Sequence, residues 1–445
     1  MSDNDLNFDL EKISLKLTKD AYKFIEDICN YTWTRLPGSA NENKAQDYIK
    51  EKYRAFGFQE ISELKFGVHS KYFLWWPRLS VIFYILSLLF YFPIPLISFI
   101  FALASILNII FKVFSFIVFD IFFKKHPSKN VVGKIKAING PPKRLLIIGG
   151  HIDSNYVYPL GEKYGVKGFL FVIPAALFML ISIIGSLIHF IVFFIKYHAY
   201  TIFSLENSLK MTELSILSKD IPFILSLIGV FYVVWVGFKM IINKASLGAN
   251  DNLSGLSVVS MVSKYLIEHP EIYPKNLEIW CTSFGSEEGG MMGSKTMAKI
   301  VKKEIDSFNS SAEQTTGENS GLYIPTSDIW VINFDSIAAN GPLLIATAEP
   351  MYRVKYVPVA YNALSKSAER SGVPYICRSL AAGTDSSPFG RKNIPATGIV
   401  NMGDGTKPPN WHSLKDTPQN LEKIGIKNSI KLLLQFILDL DKSLE

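Results

Sequence analysis

Hydrophobic and polar positions follow three rhythms along this chain, each confined to its own stretches. Between Leu17 and Phe58 the rhythm is helical: Ala21, Phe24, Ile25 and Ile28 share one face of a first helix. A turn follows at Leu36-Pro-Gly-Ser39, and Ala45 to Phe56 forms a second amphipathic helix. Phe58 to Val68 and Asn130 to Ala137 read as strands, and Arg144-Leu-Leu-Ile-Ile-Gly149 as a strand buried on both faces. A further helix is expected after Gly255, with Leu256, Val259, Val262 and Leu266 as its apolar positions.

The third rhythm is an unbroken apolar run. Apart from Lys112 and Asp120, the 45 residues from Leu79 to Phe123 contain no Asp, Glu, Lys or Arg. Neither do the 27 from Phe169 to Ile195 or the 18 from Ile221 to Phe238. These lengths match a bilayer, and the first is long enough for two helices turning at Tyr91-Phe-Pro-Ile-Pro95. Lys112 within that pair is expected to face a partner helix, an interior, or the interface by snorkelling. The expected layout is a soluble domain in three stretches, 1–74, 124–168 and 243–445. A helical hairpin at 75–123 interrupts it first, and a second pair of spans with its connection at 169–242 interrupts it again. Four spans return the chain each time to one side, so a single soluble domain can be assembled from the three separated stretches.

Composition sharpens this picture. Over 445 residues, 49% hydrophobic with only 19% charged is too apolar for an ordinary soluble protein. The net charge of +7 comes with lysines flanking the apolar runs and with no basic motif, so it predicts membrane-flank charge and no nucleic-acid partner. The side holding the soluble domain carries Lys71, Arg78, Lys124, Lys125, Lys129, Lys163, Lys167, Lys239 and Lys244, against Lys196, Lys210 and Lys219 on the other. Met1 to Asp20 is polar and lacks the apolar core of a signal peptide. Together these predict a multi-pass integral membrane protein with its soluble domain and both termini in the cytoplasm. Cys29, Cys281 and Cys377 have neither a disulfide framework nor metal-type spacing. The oligomeric state stays open.

The candidate chemistry begins at Cys281-Thr-Ser-Phe-Gly-Ser-Glu-Glu-Gly-Gly290. On a regular strand Glu287 and Glu288 would point to opposite faces, but at a strand end that breaks into a Gly-rich turn both can face one crevice. A zinc ion on Glu288 would lower the pKa of its water toward ~7, and Glu287 could take the proton. Buried strand Leu145 to Gly149 runs into Gly150-His151-Ile-Asp153, where alternation puts His151 and Asp153 on one side. Imidazole is a good zinc ligand and the carboxylate can orient it. Asp251, in Gly248-Ala-Asn-Asp-Asn-Leu-Ser-Gly255, is either a helix cap or a carboxylate bridging two metals. Asp335 closes the β-rich run from Ile329. His412 and Asp416 stand in Trp411-His-Ser-Leu-Lys-Asp-Thr-Pro418, and Asp385 stands between turn residues in Gly383-Thr-Asp-Ser-Ser-Pro-Phe389.

In this order the motifs resemble those of the co-catalytic zinc exopeptidases of metallopeptidase family twenty-eight, which include leucyl-type aminopeptidases and, as relatives, glutaminyl cyclases. The resemblance implies an α/β fold: a three-layer αβα zinc-peptidase domain with a mixed, mostly parallel sheet, here with an inserted four-helix transmembrane region. It implies two Zn2+ ions, one held by His151, Asp251 and Asp335 and the other by Asp251, Glu288 and His412. Glu287 would be the general base, Asp153 the histidine orienter, and Asp385 and Asp416 residues behind the ligands or beside the substrate. Family members often have His where this chain has Ser386, and they run from His-x-Asp to the bridging Asp through a short loop, where 97 residues intervene here.

The expected activity is hydrolysis of the N-terminal residue from peptides with a free amino terminus, at the cytoplasmic surface of a membrane. Three rivals stand beside it: a glutaminyl cyclase using the same shell, a carboxypeptidase with a cationic pocket, and a non-catalytic peptidase-like scaffold or receptor. Only Asn243 to Asn250 separate the fourth span from Asp251, and eight extended residues reach no more than ~29 Å. The site is therefore expected close to the bilayer, favouring hydrophobic or membrane-released peptides.

Overall fold

A computed structural model describes residues 9–113, 118–199, 205–312 and 328–445. The chain forms two compact units, one comprising the residues up to Ser70 with Lys125–Tyr156 and Ala245–Glu445, the other Lys71–Lys124 with Val157–Lys244. Two of these boundaries precede the expected ones. The helix at Ser70 starts nine residues before the charge-free run, and Pro159–Tyr164 already belongs to the second unit.

The first unit is built on one nine-stranded mixed sheet. Its strands are β1 (Glu60–Val68), β2 (His126–Ile135), β3 (Arg144–His151), β4 (Leu277–Phe284), β5 (Ile329–Asp335), β6 (Leu343–Glu349), β7 (Val354–Lys355), β8 (Tyr375–Ser379) and β9 (Ala396–Val400). Their order is β1-β2-β4-β3-β5-β9-β6-β7, with β8 also on β6. The centre, β4-β3-β5-β9, is parallel, and β1, β2, β6 and β7 extend it in antiparallel fashion.

Alternation along the central strands explains the layers. Leu146 and Ile148 of β3, with Trp330, Ile332 and Phe334 of β5, point into one core with helices Leu10–Thr32, Gly255–Glu268 and Lys423–Lys442. Their neighbours Leu145, Ile147, Ile329 and Val331 point into a second core with Met297, Val301 and Ile305 of helix Met292–Ala312. A strand buried on both faces has no polar position to spare, which is why β3 reads as a continuous apolar run. Two glycines let the layers close at the strand ends. A Cβ on Gly150 would come within 2.6 Å of the Leu256 nitrogen, and one on Gly255 would strike the Phe334 carbonyl oxygen. The start of helix Gly255–Glu268 is thus pressed against the ends of β3 and β5, bringing the residues just before it into the same crevice.

In the second unit, helices Ser70–Leu89, Pro95–Val113, Val172–Ala199 and Leu205–Lys239 supply four segments long and apolar enough to cross a membrane. The first begins upstream of the charge-free run because Arg78 does not end it. Its guanidinium donates to the Leu74 carbonyl and, at 3.0 Å, to the Ile241 carbonyl, so the charge is satisfied inside the helix pair. Lys112 lies with Nζ 4.0 Å from the Phe73 ring centroid. Buried amide and hydroxyl groups join the helices: Tyr72 donates to Asn108 Oδ1 at 2.9 Å, Asn108 Nδ2 to Ser80 Oγ at 2.7 Å, and Ser87 Oγ meets Ser182 Oγ at 3.0 Å. Outward positions such as Ile173, Leu177, Leu180, Ile184, Ile228 and Phe231 are exposed and apolar, the last to 86%. Such a surface suits hydrocarbon rather than water.

Between β3 and helix Gly255–Glu268 the chain leaves the first unit at Tyr156 and re-enters it at Ala245, and these two residues form an antiparallel bridge. Beside it Ser246 N donates to the Asn155 carbonyl at 2.9 Å. The insertion thus departs and returns through paired backbone, leaving the sheet continuous.

Candidate metal centre and catalytic site

The parallel strands β3, β4 and β5 end at one edge, and the loops beyond them carry the candidate residues, as ligand sites in open α/β sheets do. His151 is the last residue of β3, Glu287 and Glu288 follow β4, and Asp335 ends β5. Asp251 comes from the irregular turn before helix Gly255–Glu268, and His412 from the loop after β9. Three non-glycine residues at these ends, Ser286, Ser336 and His412, have φ of 53°, 50° and 52°. Backbone held in the left-handed region is a cost that surrounding structure must offset, and here it turns the adjacent side chains inward.

The two oxygens of Asp251 face two different histidines. Oδ1 lies 3.3 Å from His151 Nε2 and Oδ2 lies 3.1 Å from His412 Nε2. On the first side Asp335 Oδ2 is 3.8 Å from His151 Nε2, and on the second Glu288 Oε1 is 3.0 Å from His412 Nε2. His151, Asp251 and Glu288 also offer ligand atoms that all fall within 4.8 Å of one another. Glu287 Oε2 stands 4.0 Å from His151 Nε2, and its side chain is 13% exposed where that of Glu288 is 8%.

At the start of the helix it is Asn252, the neighbour of Asp251, whose Oδ1 accepts the Gly255 N–H, at 3.1 Å. Asp153 does more than orient a histidine. His151 Nδ1 lies 3.1 Å from the Asp153 main-chain oxygen and 3.5 Å from its carboxylate, whose two oxygens accept the N–H groups of Glu287 and Glu288 at 3.0 and 2.9 Å. Asp416 turns away from the histidines and accepts the N–H groups of Asn250 and Asp251 at 2.6 and 3.2 Å, fixing the turn that presents Asp251. Asp385 is fully buried, and its charge is felt at both Glu287 and Asp335.

Three residues without a motif of their own in the sequence complete the frame. Arg35 is wholly buried and donates to the carbonyls of Ile152 at 2.7 Å, Leu247 at 2.8 Å and Gly248 at 3.2 Å, tying the His151 loop to the approach to Asp251. Glu42 accepts from Ser286 N at 2.6 Å, Ser286 Oγ at 2.9 Å and Gly38 N at 2.6 Å, so it holds the turn before Glu287. Asn155 Nδ2 donates to Glu288 Oε2 at 2.5 Å.

The electrostatics are those of a cation site. Burial and the neighbouring Glu288 carboxylate drive Glu287 well above the usual carboxylate range. Burial pushes Asp335 up to about 8 and Asp385 and Asp416 each up to about 7. Burial alone would lower both histidines, but the carboxylates around them outweigh it. His151 is held well above its ordinary value and His412 is pushed up to about 9. Asp251 shifts oppositely: burial would raise it, and the two histidines hold it down. So many buried carboxylates against two imidazoles and Arg35 repel one another and retain protons, unless a divalent cation takes their place. Imidazole nitrogens with carboxylate oxygens are a zinc donor set, and Asp251 turns one oxygen to each of the two imidazoles.

Residues 235–437 match the model of peptidase family M28. No curated protein matches the chain. Among solved structures, the zinc aminopeptidase BSAP from Bacillus subtilis superposes with a TM-score of 0.51 at 12% identity, covering 94% of this chain and 94% of that one. The glutaminyl cyclase from an Acidobacteriales bacterium gives 0.51 at 13% identity, covering 96% and 95%. The aminopeptidase from Aneurinibacillus sp. strain AM-1 gives 0.50 at 12%, covering 96% and 95%. At such identities the likeness is one of fold.

Proposed function

We propose that the chain is a member of peptidase family M28, whose model its residues 235–437 match, and that it is an aminopeptidase that uses two zinc ions, anchored in a bilayer by its four apolar helices. The observation that carries this reading is the placement of Asp251, one oxygen toward His151 at 3.3 Å and the other toward His412 at 3.1 Å. A carboxylate so shared defines two half-sites, His151–Asp251–Asp335 and Asp251–Glu288–His412.

Bound zinc would supply Lewis-acid polarisation of the scissile carbonyl and a water of lowered pKa. The chain's own residues do the rest. Glu287, on no half-site and the more open of the adjacent glutamates, takes the proton from the attacking water and returns it to the leaving amine. Asp153 keeps the Glu287–Glu288 turn in register through two main-chain N–H groups. Asp385, fully buried, lies behind the ligands with its charge felt at both Glu287 and Asp335.

The lysine asymmetry about the spans supports a cytoplasmic domain with both termini on that side. Peptides with a free amino terminus, presented at that membrane face, are the proposed substrates. Zinc analysis of the purified protein, combined with a panel of free, N-blocked and C-blocked peptides, tests the assignment. Zinc binding with turnover that requires a free amino terminus is expected. Cyclisation of an N-terminal Gln peptide without hydrolysis would replace it with the cyclase reading, and turnover of N-blocked but not C-blocked peptides with the carboxypeptidase reading. No zinc and no turnover would leave a scaffold.

A further inference from the structure

Two residues beyond Asp153 the chain reaches Asn155, which plays no part in the chemistry proposed above, yet its side chain is aimed at that site from full burial. Its Oδ1 accepts the Tyr156 N–H at 2.7 Å, which settles the orientation of the amide. The Nδ2 end then donates to Glu288 Oε2 at 2.5 Å and lies 2.9 Å from Nε2 and 3.2 Å from Nδ1 of His412. Glu288 Oε1 is the oxygen beside His412 Nε2, at 3.0 Å. One oxygen of Glu288 thus faces the neighbouring ligand and the other is held from behind.

The main chain of Asn155 is also fixed, by the neck of the insertion. Its carbonyl accepts Ser246 N at 2.9 Å and Ser246 Oγ at 3.2 Å, and the next rung is the Tyr156–Ala245 bridge. The pairing that closes the 157–244 excursion therefore sets where the amide points.

We propose that Asn155 is a positioning residue for the Glu288–His412 half of the metal centre, and that the neck of the inserted segment holds it in place. The inference rests on the metal-centre reading above. A ligating carboxylate binds through one oxygen, and a donor to the other fixes its rotamer, as outer partners of metal ligands do. A neutral amide does this while leaving the negative charge of the carboxylate to the cation. A carboxylate at position 155 would remove the donor and add repulsion.

The test is zinc affinity of the full-length protein in detergent, measured by chelator competition, for Asn155→Asp and Asn155→Ala. Asn155→Asp preserves shape, and where its added charge prevents folding the Ala variant asks the same question. Both are expected to weaken one of the zinc sites by ~10–100-fold, the range for loss of an outer-shell partner, with the other unchanged. Co2+ substitution should show an altered d–d spectrum for that one site. Asn401 is the control, since its buried amide serves the Ala339 carbonyl at 2.9 Å. Asn401→Ala should lower the melting temperature and leave zinc affinity unchanged. Unchanged affinity in either folded Asn155 variant, or an equal loss in the Asn401 variant, overturns the proposal. A wild-type protein that binds no zinc would instead overturn the metal-centre reading.

Discussion

Asp153 accepts the main-chain N–H of Glu287 at 3.0 Å, and with its other oxygen that of Glu288 at 2.9 Å. One buried carboxylate from the loop after β3 thus sets the backbone of the adjacent glutamates beyond β4. Asp153→Ala would leave both N–H groups buried without partners, at about 1–3 kcal/mol each. Thermal melting should fall accordingly and zinc affinity with it. Asp153→Asn, which keeps one acceptor, should lose less, and equal losses for the two variants would show that the cradle is not what matters.

Glu287 is proposed as the base and assigned to neither half-site, so Glu287→Gln should leave zinc content and folding intact. Loss of a positioned base typically costs ~10²–10⁴-fold in turnover. Steady-state rates with a free-amino-terminus peptide decide it, and near-normal turnover would remove Glu287 from the chemistry.

Asp251 is shared, and its loss should be felt on both sides. Asp251→Ala is expected to hold neither zinc firmly. Metal analysis after dialysis reads the outcome, and retention of two zincs would assign the residue a purely local role in its turn.

The protons held in the site give a pH signature. Burial pushes Asp335 up to about 8, and the carboxylates around His412, outweighing its burial, push it up to about 9. In the unfolded chain these groups titrate near ~3.9 and ~6.5. Across these windows the folded metal-free protein binds more protons than the unfolded, so stability falls as pH rises. The contribution of Asp335 is complete below pH ~4 and lost through about 8, and that of His412 is complete below ~6.5 and lost through about 9. Zinc competes for the same atoms and is favoured by their deprotonation. Melting temperatures of zinc-loaded and chelated protein should therefore diverge between pH ~6 and ~9, and convergence over that range would count against the site.

Orientation is open to labelling. Single cysteines introduced at Lys210 and at Lys407 should be reached by an impermeant reagent from opposite sides of the membrane. Labelling of both from the same side would contradict the lysine asymmetry that supports a cytoplasmic domain.

The strand ends are legible in the sequence because chemistry and pattern coincide there: a two-face apolar run stops, and His151 or Asp335 stands at the stop. Residues that act at a distance are not. Glu42 sits three positions after Ser39, the spacing of a capping box, and Ser39 Oγ does accept the Glu42 N–H at 3.1 Å. Its carboxylate nevertheless serves Ser286, 244 residues away, and no local rule encodes that. Arg35 stands beside a Pro-Gly turn as any surface arginine would, and only the folded chain places four carbonyls around it. The onset of the first apolar helix is hidden because a charge, Arg78, is neutralised by carbonyls instead of by solvent.

The proposed ligand set is drawn from positions 151, 251, 288, 335 and 412, spread over separated stretches of chain. On the ribosome this becomes an order of events. His151 emerges early, two long apolar helices follow, and only then does Asp251 appear, with His412 last of all. All four apolar helices of the described residues precede Asp251 in the chain. The proposed metal centre is thus complete only after the four apolar segments of the described residues have all been made.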